Sequence, residues 1–598
     1  MNTAIAQPAK LSEIATFQWL LTKSYPGSRV RTAGWCIAIA FGLAQALASR
    51  HTMQADGISY LDMGDAIIRG DWKMAINAYW SPLYPLLQGL AAWAIKPTPY
   101  WQFTVVHLVN FLIYLFALAC FDILLRALAT GGLADGACEA SSCPFSRRAL
   151  PAIGYALFIW FSLDLITLGE VSPDMLMAGF VYLATWLLVM IAKQRAKRFW
   201  FAVLLGLVLG LGYLAKAPMF PLALVYMGAS LLLVGNWRRA LPFVLFEIIV
   251  FGIIVTPWVT ALSRSKGRLT FGDSGRINYL VNVNGASPSW YFQDVGTGGG
   301  HYLHTTRKIF DHPRIFEFAT PIKGTQPVWY DASYWAEGAV PRIHLRTELL
   351  RVINYVKAYT HMLLSTQAAL LIGFVVLYCV GRRKGVSTEI RACWPVWIPG
   401  LVGLAMYSLV VVEWRYVAVF FTLLWIGLFA GIRLPTESGP RNVARILTIT
   451  IVFAIGAPMA FLAIRDSASA VTETRHLQWQ VAEELKHLSV RPGDKVARIG
   501  GNFAADWARL LQVMVVAEVP RSDAQEFWAA PPEVQAQIIR KFTSMGVTAL
   551  VAQIAQDETF RPSGMWQALA GGTFYALPLR HSEGLSKSSE VILDHALF

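Results

Sequence analysis

Charged residues are scarce in this sequence. Of its 598 residues only 15% are Asp, Glu, Lys or Arg, whereas 55% are hydrophobic and 13% are aromatic. A soluble globular chain of this length carries about a quarter charged residues, so the composition excludes an ordinary soluble protein. Apolar runs long enough to cross a bilayer recur along the chain, which predicts a polytopic α-helical membrane protein.

Several sequence signals are also missing. The N-terminus lacks the basic start, apolar core and small-residue cleavage site of a signal peptide, so the first span is expected to be retained. None of the six cysteines lies in a segment predicted outside, which argues against a disulfide framework, and Cys138 with Cys143 alone makes a poor metal site. The Ile-Gly-Gly-Asn turn at 499–502 lacks the G-x-G-x-x-G spacing, so no nucleotide site is assigned to it.

The basic residues predict how the chain crosses the membrane. The net charge is +14, and the Lys and Arg residues stand in short clusters between apolar runs, which indicates topology rather than nucleic-acid binding. With eleven spans, every strongly basic short loop falls on the cytoplasmic side. The predicted spans are 34–49, 101–128, 149–168, 175–192, 199–214, 219–234, 240–262, 363–380, 394–412, 416–432 and 446–464.

This topology divides the chain into three parts. A cytoplasmic segment (1–33) precedes a transmembrane domain (34–465), which has a first outer loop (51–98) and a large outer loop (263–360). The first outer loop contains a short apolar helix, predicted to lie against the outer surface. From about residue 466 the composition changes, and the last part (466–598) is predicted to be an extracytoplasmic α/β domain.

Short strands alternate with helical stretches in the C-terminal part, as in an α/β domain. We predict an amphipathic helix at 472–488 and a further helix at 532–545. The predicted strands are 495–499, 513–519, 547–552 and 573–577.

Acids and cations converge on the outer face in this topology. A carboxylate there can take a proton from an attacking hydroxyl, and a cation can neutralise departing phosphate oxygens. Carboxylates such as Asp56 and Asp174 can also hold a divalent metal. The pattern therefore predicts a reaction that handles a phosphate and removes a proton. The residues concerned are Asp56, Glu170, Asp174, Lys216, Glu413, Arg415 and Tyr416.

The acids also have structural interpretations. Asp56 can be the N-cap of the helix that follows it. Asp62, Asp65 and Asp71 favour a solvated helix face. Asp174 can complement the dipole of the helix that it begins. The sequence alone leaves these alternatives open.

The cations and aromatic residues have alternatives as well. Lys216 can simply snorkel to the membrane interface, and Arg415 can pair with Glu413. The aromatic residues of the 327–335 run can form an interface belt or stack on sugar rings. No sequence signal separates the two roles.

The order of these motifs resembles the GT-C superfamily of polytopic glycosyltransferases. The resemblance rests on the acidic first outer loop, the Trp-Ser-Pro-Leu-Tyr-Pro run at 80–85, the acid-bearing turn at 170–174 and the Glu-x-Arg-Tyr motif at 413–416. The chain looks closest to bacterial relatives of the dolichyl-phosphate-mannose protein mannosyltransferases and of the lipid A aminoarabinose transferase. Two further segments, 271–279 and 324–331, look like loop motifs of bacterial members.

The resemblance implies transfer of a hexosyl or pentosyl group from a polyprenyl-phosphate donor, with inversion at the anomeric carbon. The acceptor is a hydroxyl of a glycan, lipid or protein at the outer face of a bacterial inner membrane. Asp56, Asp174 and Glu170 are then the catalytic acids, and Lys216 and Arg415 are the candidates for the donor phosphate. The other implied substrate contacts are Tyr84, Arg276, Trp329, Tyr330, Glu413 and Tyr416.

One departure and three rival functions accompany the resemblance, the third being a scaffold subunit with a degenerate site. The mannosyltransferases place two adjacent acids in the first loop, whereas Gly57 follows Asp56 here, which favours a broader relative. A glycan ligase or polymerase with a diphosphate-linked donor should rely on arginines without an essential first-loop acid. A lipid or sugar transporter should carry acids at mid-bilayer and pseudo-repeats. The predicted acids cluster at span ends, which favours the enzyme.

Overall fold

The structure is a computed structural model. It describes residues 28–130, 144–285, 306–318, 324–331, 340–381, 383–432, 434, 438–472, 476–500, 505–554, 562 and 564–579. Helices dominate the first three quarters of the chain, and a sheet dominates the last quarter. The helices up to residue 282 are α1 Ser28–Ala48, α2 Ala55–Arg69, α3 Trp72–Ala75, α4 Leu83–Ile95, α5 Gln102–Ala129, α6 Pro144–Trp160, α7 Asp174–Lys193, α8 Arg198–Ala215, α9 Met219–Val234, α10 Trp237–Lys266 and α11 Ser274–Asn282.

The second half adds further helices and the strands. Its helices are α12 Pro327–Tyr330, α13 Leu345–Leu364, α14 Ala368–Val380, α15 Arg383–Ala392, α16 Trp394–Ser408, α17 Trp414–Ala430, α18 Ser438–Thr472, α19 Leu477–His487, α20 Asp506–Leu511, α21 Ala524–Ala529 and α22 Pro532–Ser544. The strands are β1 Thr306–Phe310, β2 Ile315–Phe318, β3 Lys495–Ile499, β4 Met514–Val519, β5 Val547–Gln553, β6 Gln567–Leu569 and β7 Phe574–Pro578.

Helices occupy all eleven predicted spans. Within the described ranges, seven helices are long and apolar enough to cross a membrane, and α13 with α14 makes an eighth if this bent pair is one span. The chain is therefore a multi-pass helical membrane protein. Three of the predicted spans correspond to shorter helices, since α9, α16 and α17 have 16, 15 and 17 residues.

The predicted span at 363–380 differs from the structure. The chain bends by 76° between α13 and α14, so the apolar run is not one straight helix. Helix α13 begins at Leu345, well inside the segment predicted as a polar outer loop. Its start carries Arg and Glu side chains beside exposed leucines. These polar residues interrupt the apolar run, so the helix was not predicted from apolar residues alone.

Helix α2, which carries Asp56, crosses α4 at very short range. A Cβ atom added to Gly64 of α2 would lie 2.5 Å from the backbone oxygen of Pro85, and one added to Gly89 would lie 2.6 Å from the oxygen of Gly64. Any side chain at either position would push the two helices apart. Helix α4 coincides with the short apolar helix predicted between the prolines of the first outer loop.

The described strands form one mixed sheet with the order β1-β2-β4-β3-β5-β7-β6. Strand β3 pairs in parallel with β4 and β5, and the outer strands are antiparallel. All four predicted strands are confirmed to within about a residue, because their runs of Val, Ala, Leu and Ile are buried on both faces.

The sheet also includes two strands from outside the predicted C-terminal domain. Strands β1 and β2 come from the segment predicted as the large outer loop, and β2 pairs antiparallel with β4 through Phe316 and Glu518. The large loop and the C-terminal part therefore build one sheet domain together.

Disulfides do not contribute to the described part of the chain. Cys36, Cys120, Cys379 and Cys393 are all free there. Cys138 and Cys143 lie outside the described residues.

Candidate active site

A cavity of about 320 Å³ lies where α2, α7, α9, α11 and α17 approach one another. Five of the predicted site residues line it: Asp56, Asp174, Lys216, Arg415 and Tyr416. These residues come from four separate places in the chain, spread over 360 positions. The cavity therefore brings together the acids and cations that the sequence placed on one face.

Helix ends place these charged groups. Asp174 is the first residue of α7, following Pro173, where its negative charge complements the helix dipole. Lys216 follows the last residue of α8 in an extended conformation, and Pro218 at the start of α9 prevents one helix from running into the next. Arg415 is the second residue of α17. Because these positions are helix ends, the charges lie at one end of the bundle.

The cations at the cavity form salt bridges with nearby acids. Lys216 forms a salt bridge with Asp174, and Arg415 forms one with Glu170. Arg415 Nε also lies 3.9 Å from Asp174 Oδ2. These four residues, Glu170, Asp174, Lys216 and Arg415, are called the cavity cluster below. Each cation is thus fixed in position before any ligand enters.

Tyr416 connects the two cations. Lys216 Nζ lies 3.8 Å from the centre of the Tyr416 ring, a cation–π distance. The guanidinium of Arg415 donates from Nη2 to the Tyr416 hydroxyl at 3.3 Å. The tyrosine therefore belongs to the cation-bearing wall of the cavity.

Asp56 does not cap its helix, so that interpretation is wrong. It lies in the first turn of α2 behind the N-cap residue Gln54, and its Oδ1 accepts a hydrogen bond of 2.8 Å from the indole Nε1–H of Trp329. Burial raises the pKa of Asp56, while the Trp329 hydrogen bond and the charge of Arg415 oppose the rise. A carboxylate whose pKa moves toward neutrality is suited to accept a proton.

Gly57 explains why this chain has no second acid after Asp56. A Cβ atom at Gly57 would lie 3.0 Å from the Cβ of Val171, in the turn that leads to Asp174, and would also collide with Met53 Sδ. The missing side chain lets the start of α2 approach that turn closely. The departure from the mannosyltransferase pattern is therefore a packing requirement at the cavity wall.

Three predicted residues lie behind the cavity wall. Tyr84 is fully buried and donates to Asn110 Oδ1 at 2.6 Å. The Tyr330 hydroxyl donates to the backbone oxygen of Met74 at 2.7 Å. Trp329 donates a hydrogen bond to Asp56, and its ring centre lies 6.4 Å from those of the lining residues Tyr79 and Trp80. These aromatic residues act in packing and hydrogen bonding within the protein.

Two further predicted residues stand apart from the cavity lining. Arg276 lies on α11 between Gly275 and Asn278, which line the cavity while Arg276 does not. Glu413 is exposed at the start of α17. The predicted pairing of Glu413 with Arg415 is wrong, because Arg415 turns to the acids of the cavity cluster.

The sequence analysis missed several lining residues. Tyr60, Tyr79, Tyr407 and Asn278 all contribute to the cavity wall. Tyr60 stands four residues after Asp56 on the same helix, and this spacing places both side chains on one face, which would have predicted it. Asn278 lies in the 271–279 segment that resembled a loop motif, whereas Tyr407 has no sequence signal, because its distance from Asp56 in the chain hides their proximity in space.

Two more acids of α2 are paired with a cation, and one of them, Asp62, is buried. Asp62 is only 3% exposed and accepts from Arg509 Nη1 at 2.7 Å. The same nitrogen lies 2.8 Å from Asp65 Oδ2. We call Asp62, Asp65 and Arg509 the clamp. The predicted solvated face is wrong for Asp62, and Asp71 instead caps α3 by accepting from Met74 N at 3.4 Å.

One further carboxyl lies inside a span. Glu247 of α10 is fully buried and accepts a hydrogen bond of 2.6 Å from the Ser230 hydroxyl of α9. The residues that line the cavity do not include it. The prediction that the acids cluster at span ends is therefore wrong for Glu247. The acids that line the cavity do lie at or beyond the ends of spans.

The described residues offer a metal ion few ligands. No group of three or more His, Cys, Asp and Glu side chains with metal-binding geometry occurs among them. Of the two acids predicted as metal ligands, Asp174 is already paired with Lys216. The arrangement fits an anion near the cations better than a metal near the acids.

No protein-family model matches the chain, and no curated protein sequence matches it. Two solved structures are similar in arrangement. ArnT from Cupriavidus metallidurans bound to undecaprenyl phosphate is 13% identical with a TM-score of 0.42, covering 92% of this chain and 98% of that one. The oligosaccharyltransferase of Archaeoglobus fulgidus in the apo form is 14% identical with a TM-score of 0.46, covering 89% and 70%. At these values the likeness carries no argument about function, which has to follow from the site itself.

Proposed function

We propose that this protein is an inverting GT-C-type glycosyltransferase that moves a sugar from a polyprenyl-phosphate donor to an acceptor hydroxyl. The reaction would take place at the outer face of a bacterial inner membrane, with the sheet domain on the same side. One observation carries the proposal: a single cavity is lined by a partly buried carboxylate, Asp56, and by two cations held by acids, Lys216 and Arg415.

The two cations suit the phosphate of the donor. Lys216 and Arg415 are both held by acids, and a phosphate oxygen can join these existing contacts as a further anionic partner. Charge that develops on the phosphate as the sugar departs is then neutralised by groups that need no reorganisation. The apolar part of the lining, which includes Phe220 and Met406, suits the first units of a polyprenyl chain.

Asp56 suits the role of general base. The acceptor oxygen forms a bond to the anomeric carbon as its proton passes to the Asp56 carboxylate. The bond from that carbon to the phosphate oxygen breaks, and its electron pair leaves on the phosphate beside Lys216 and Arg415. Attack from the side opposite to the leaving phosphate inverts the anomeric configuration. A general base of this kind contributes about 10²–10⁴-fold to a rate.

The experiment that tests the proposal is sugar transfer in proteoliposomes from a panel of polyprenyl-phosphate sugars. We expect transfer by the wild type and a loss of about 10²–10⁴-fold in Asp56→Asn. The matched control is Asp71→Asn, the same change 15 residues away, because Asn is as good a helix cap as Asp. Equal transfer by wild type and Asp56→Asn would remove Asp56 from the mechanism.

Binding of the carrier lipid tests the donor class without any sugar. Because the neighbouring ArnT structure holds undecaprenyl phosphate, that lipid is the probe, with undecaprenyl diphosphate as its competitor. We expect the monophosphate to bind the wild type and Lys73→Met equally, and Lys216→Met more weakly. A preference for the diphosphate would support a diphosphate-donor ligase. Movement of sugar-lipid across the bilayer without transfer would support a transporter.

A further inference from the structure

The segment 324–331, called the strap here, connects the sheet domain with the helix that carries Asp56. At its beginning Thr325 donates to Asp62 twice, from its backbone N–H at 2.7 Å and from its hydroxyl at 3.1 Å. The backbone oxygen of Thr325 accepts from Val515 N of β4 at 3.1 Å. This end of the strap is therefore bound to α2 on one side and to the sheet on the other.

The other end of the strap contacts α2 at Asp56. Trp329 Nε1 donates to Asp56 Oδ1 at 2.8 Å, and the hydroxyl of Ser59 donates to the backbone oxygen of Trp329 at 3.4 Å. The backbone oxygen of Tyr330 accepts from Asn77 Nδ2 at 2.6 Å. The strap thus runs along α2 from Asp62 back to Asp56, and it places an indole N–H on the candidate base.

Arg509 fixes the first of these two ends. Asp62 accepts from Thr325 and from Arg509 at the same time, and Arg509 reaches Asp65 as well. Arg509 lies on α20, between β3 and β4 of the sheet domain, and its side chain is almost completely buried. A buried guanidinium between two carboxylates has a single favourable arrangement, so it defines where Asp62 presents its oxygens to the strap.

We propose that Arg509 is a positioning residue of the transfer reaction: through Asp62 and the strap it holds the Trp329 indole N–H on the Asp56 carboxylate. This rests on the proposed function, in which Asp56 is the base. An indole N–H can only donate, so it binds the ionised carboxylate and leaves Oδ2 as the atom that takes the proton. The sheet domain then serves the reaction without touching substrate.

The charged groups that act on Asp56 define a readout of this role. They are Arg415 and Lys216, which favour its ionised form, and Asp174, which opposes it. The Trp329 hydrogen bond also favours the ionised form. Loss of that bond must therefore move the acid limb of the activity profile to higher pH, while a general loss of stability would not.

The first arm of the experiment compares the wild type, Arg509→Lys and Trp329→Phe in the transfer assay. A lysine keeps the charge but cannot hold both carboxylates in the same geometry. We expect kcat to fall about tenfold in both variants with the donor KM unchanged. The acid limb of the profile of kcat against pH should move to higher pH by about one unit in both variants. The double variant should show the same kcat and the same shift as each single variant.

The control is Arg314→Lys, which weakens a pair inside the sheet domain, 2.6 Å from Asp523, without reaching α2. Its acid limb should stay in place. A lower kcat in Arg509→Lys with an unmoved acid limb, or effects that add in the double variant, would overturn the proposal.

The second arm is independent of activity. Hydrogen exchange of peptides covering the strap should accelerate in Arg509→Lys and not in Arg314→Lys. If the wild type transfers no sugar from any donor, the proposed function fails, whereas the exchange result still decides whether Arg509 holds the strap. Unchanged exchange in Arg509→Lys would overturn the inference even for an active enzyme.

Discussion

The cavity cluster and the clamp are both groups in which carboxylates hold cations. In the cavity cluster, Lys216 and Arg415 pair with acids but still line an accessible cavity. In the clamp, Arg509 is enclosed between Asp62 and Asp65 and has only protein around it. Both groups contain two carboxylates, with two cations in the cavity cluster and one in the clamp. Similar charged groups therefore form an accessible surface in one place and an enclosed contact in the other, depending on whether a cavity reaches them.

The largest effect should follow a change in the cavity cluster. We expect Arg415→Gln to lower kcat/KM for transfer by about 10²–10³-fold, because the guanidinium that would donate hydrogen bonds to the departing phosphate is lost. Thermal stability should change little, since Lys216 still pairs with Asp174 and Glu170 is nearly half exposed to water. Assays of transfer and unfolding on the same preparation check this. A large loss of stability with normal transfer would show that the cavity cluster stabilises the fold, as the clamp does, and takes no part in transfer.

The clamp should show the opposite balance. Asp62→Asn removes one charge from a buried ion pair, so we expect the free energy of unfolding to fall by about 2–3 kcal/mol. Denaturant titration of the purified protein measures it. The control is Glu483→Gln, which removes an exposed pair with Lys486 and should cost less than about 1 kcal/mol. Equal effects of the two variants would show that the clamp is no stronger than a surface pair.

A smaller effect should come from the close approach beside Asp56. In Gly57→Ala the new methyl group meets Val171, and the start of α2 must move away from the turn that carries the cavity acids. We expect transfer to fall about tenfold. The control is Gly228→Ala in α9, where a Cβ atom meets nothing within 4 Å. Full activity in Gly57→Ala would show that the cavity tolerates a shifted α2.

The smallest effect should be a dependence of stability on pH that arises from Asp506, beside the clamp. Burial raises the pKa of Asp506, three residues before Arg509, to about 7, and the nearby Arg498 opposes the rise. Because the folded state holds this proton more tightly than the unfolded state, stability is greatest at low pH and falls as the pH rises toward 7. We expect about 1 kcal/mol of loss between pH 6 and 7, and a smaller slope in Asp506→Asn. The same slope in both proteins would assign it to another group.

Local sequence patterns were sufficient to predict most helices and strands of this protein. Apolar runs predicted where the membrane helices lie, and short apolar runs predicted β3, β4, β5 and β7. Both signals are local, since burial of a helix or strand is written into its own residues. The sequence also singled out Asp56, Asp174, Lys216 and Arg415, because charges at the ends of apolar helices are conspicuous.

Which of those charges meet depends on the tertiary packing. Arg415 and Glu170 are 245 positions apart, and Arg509 and Asp62 are 447 apart. Nothing in the local pattern separated Asp62, which is buried in the clamp, from a solvated acid. Nor did it show that Trp329 turns its indole to Asp56 instead of a sugar. Pairing between distant residues depends on how the helices and the sheet domain pack, and packing is a property of the whole chain.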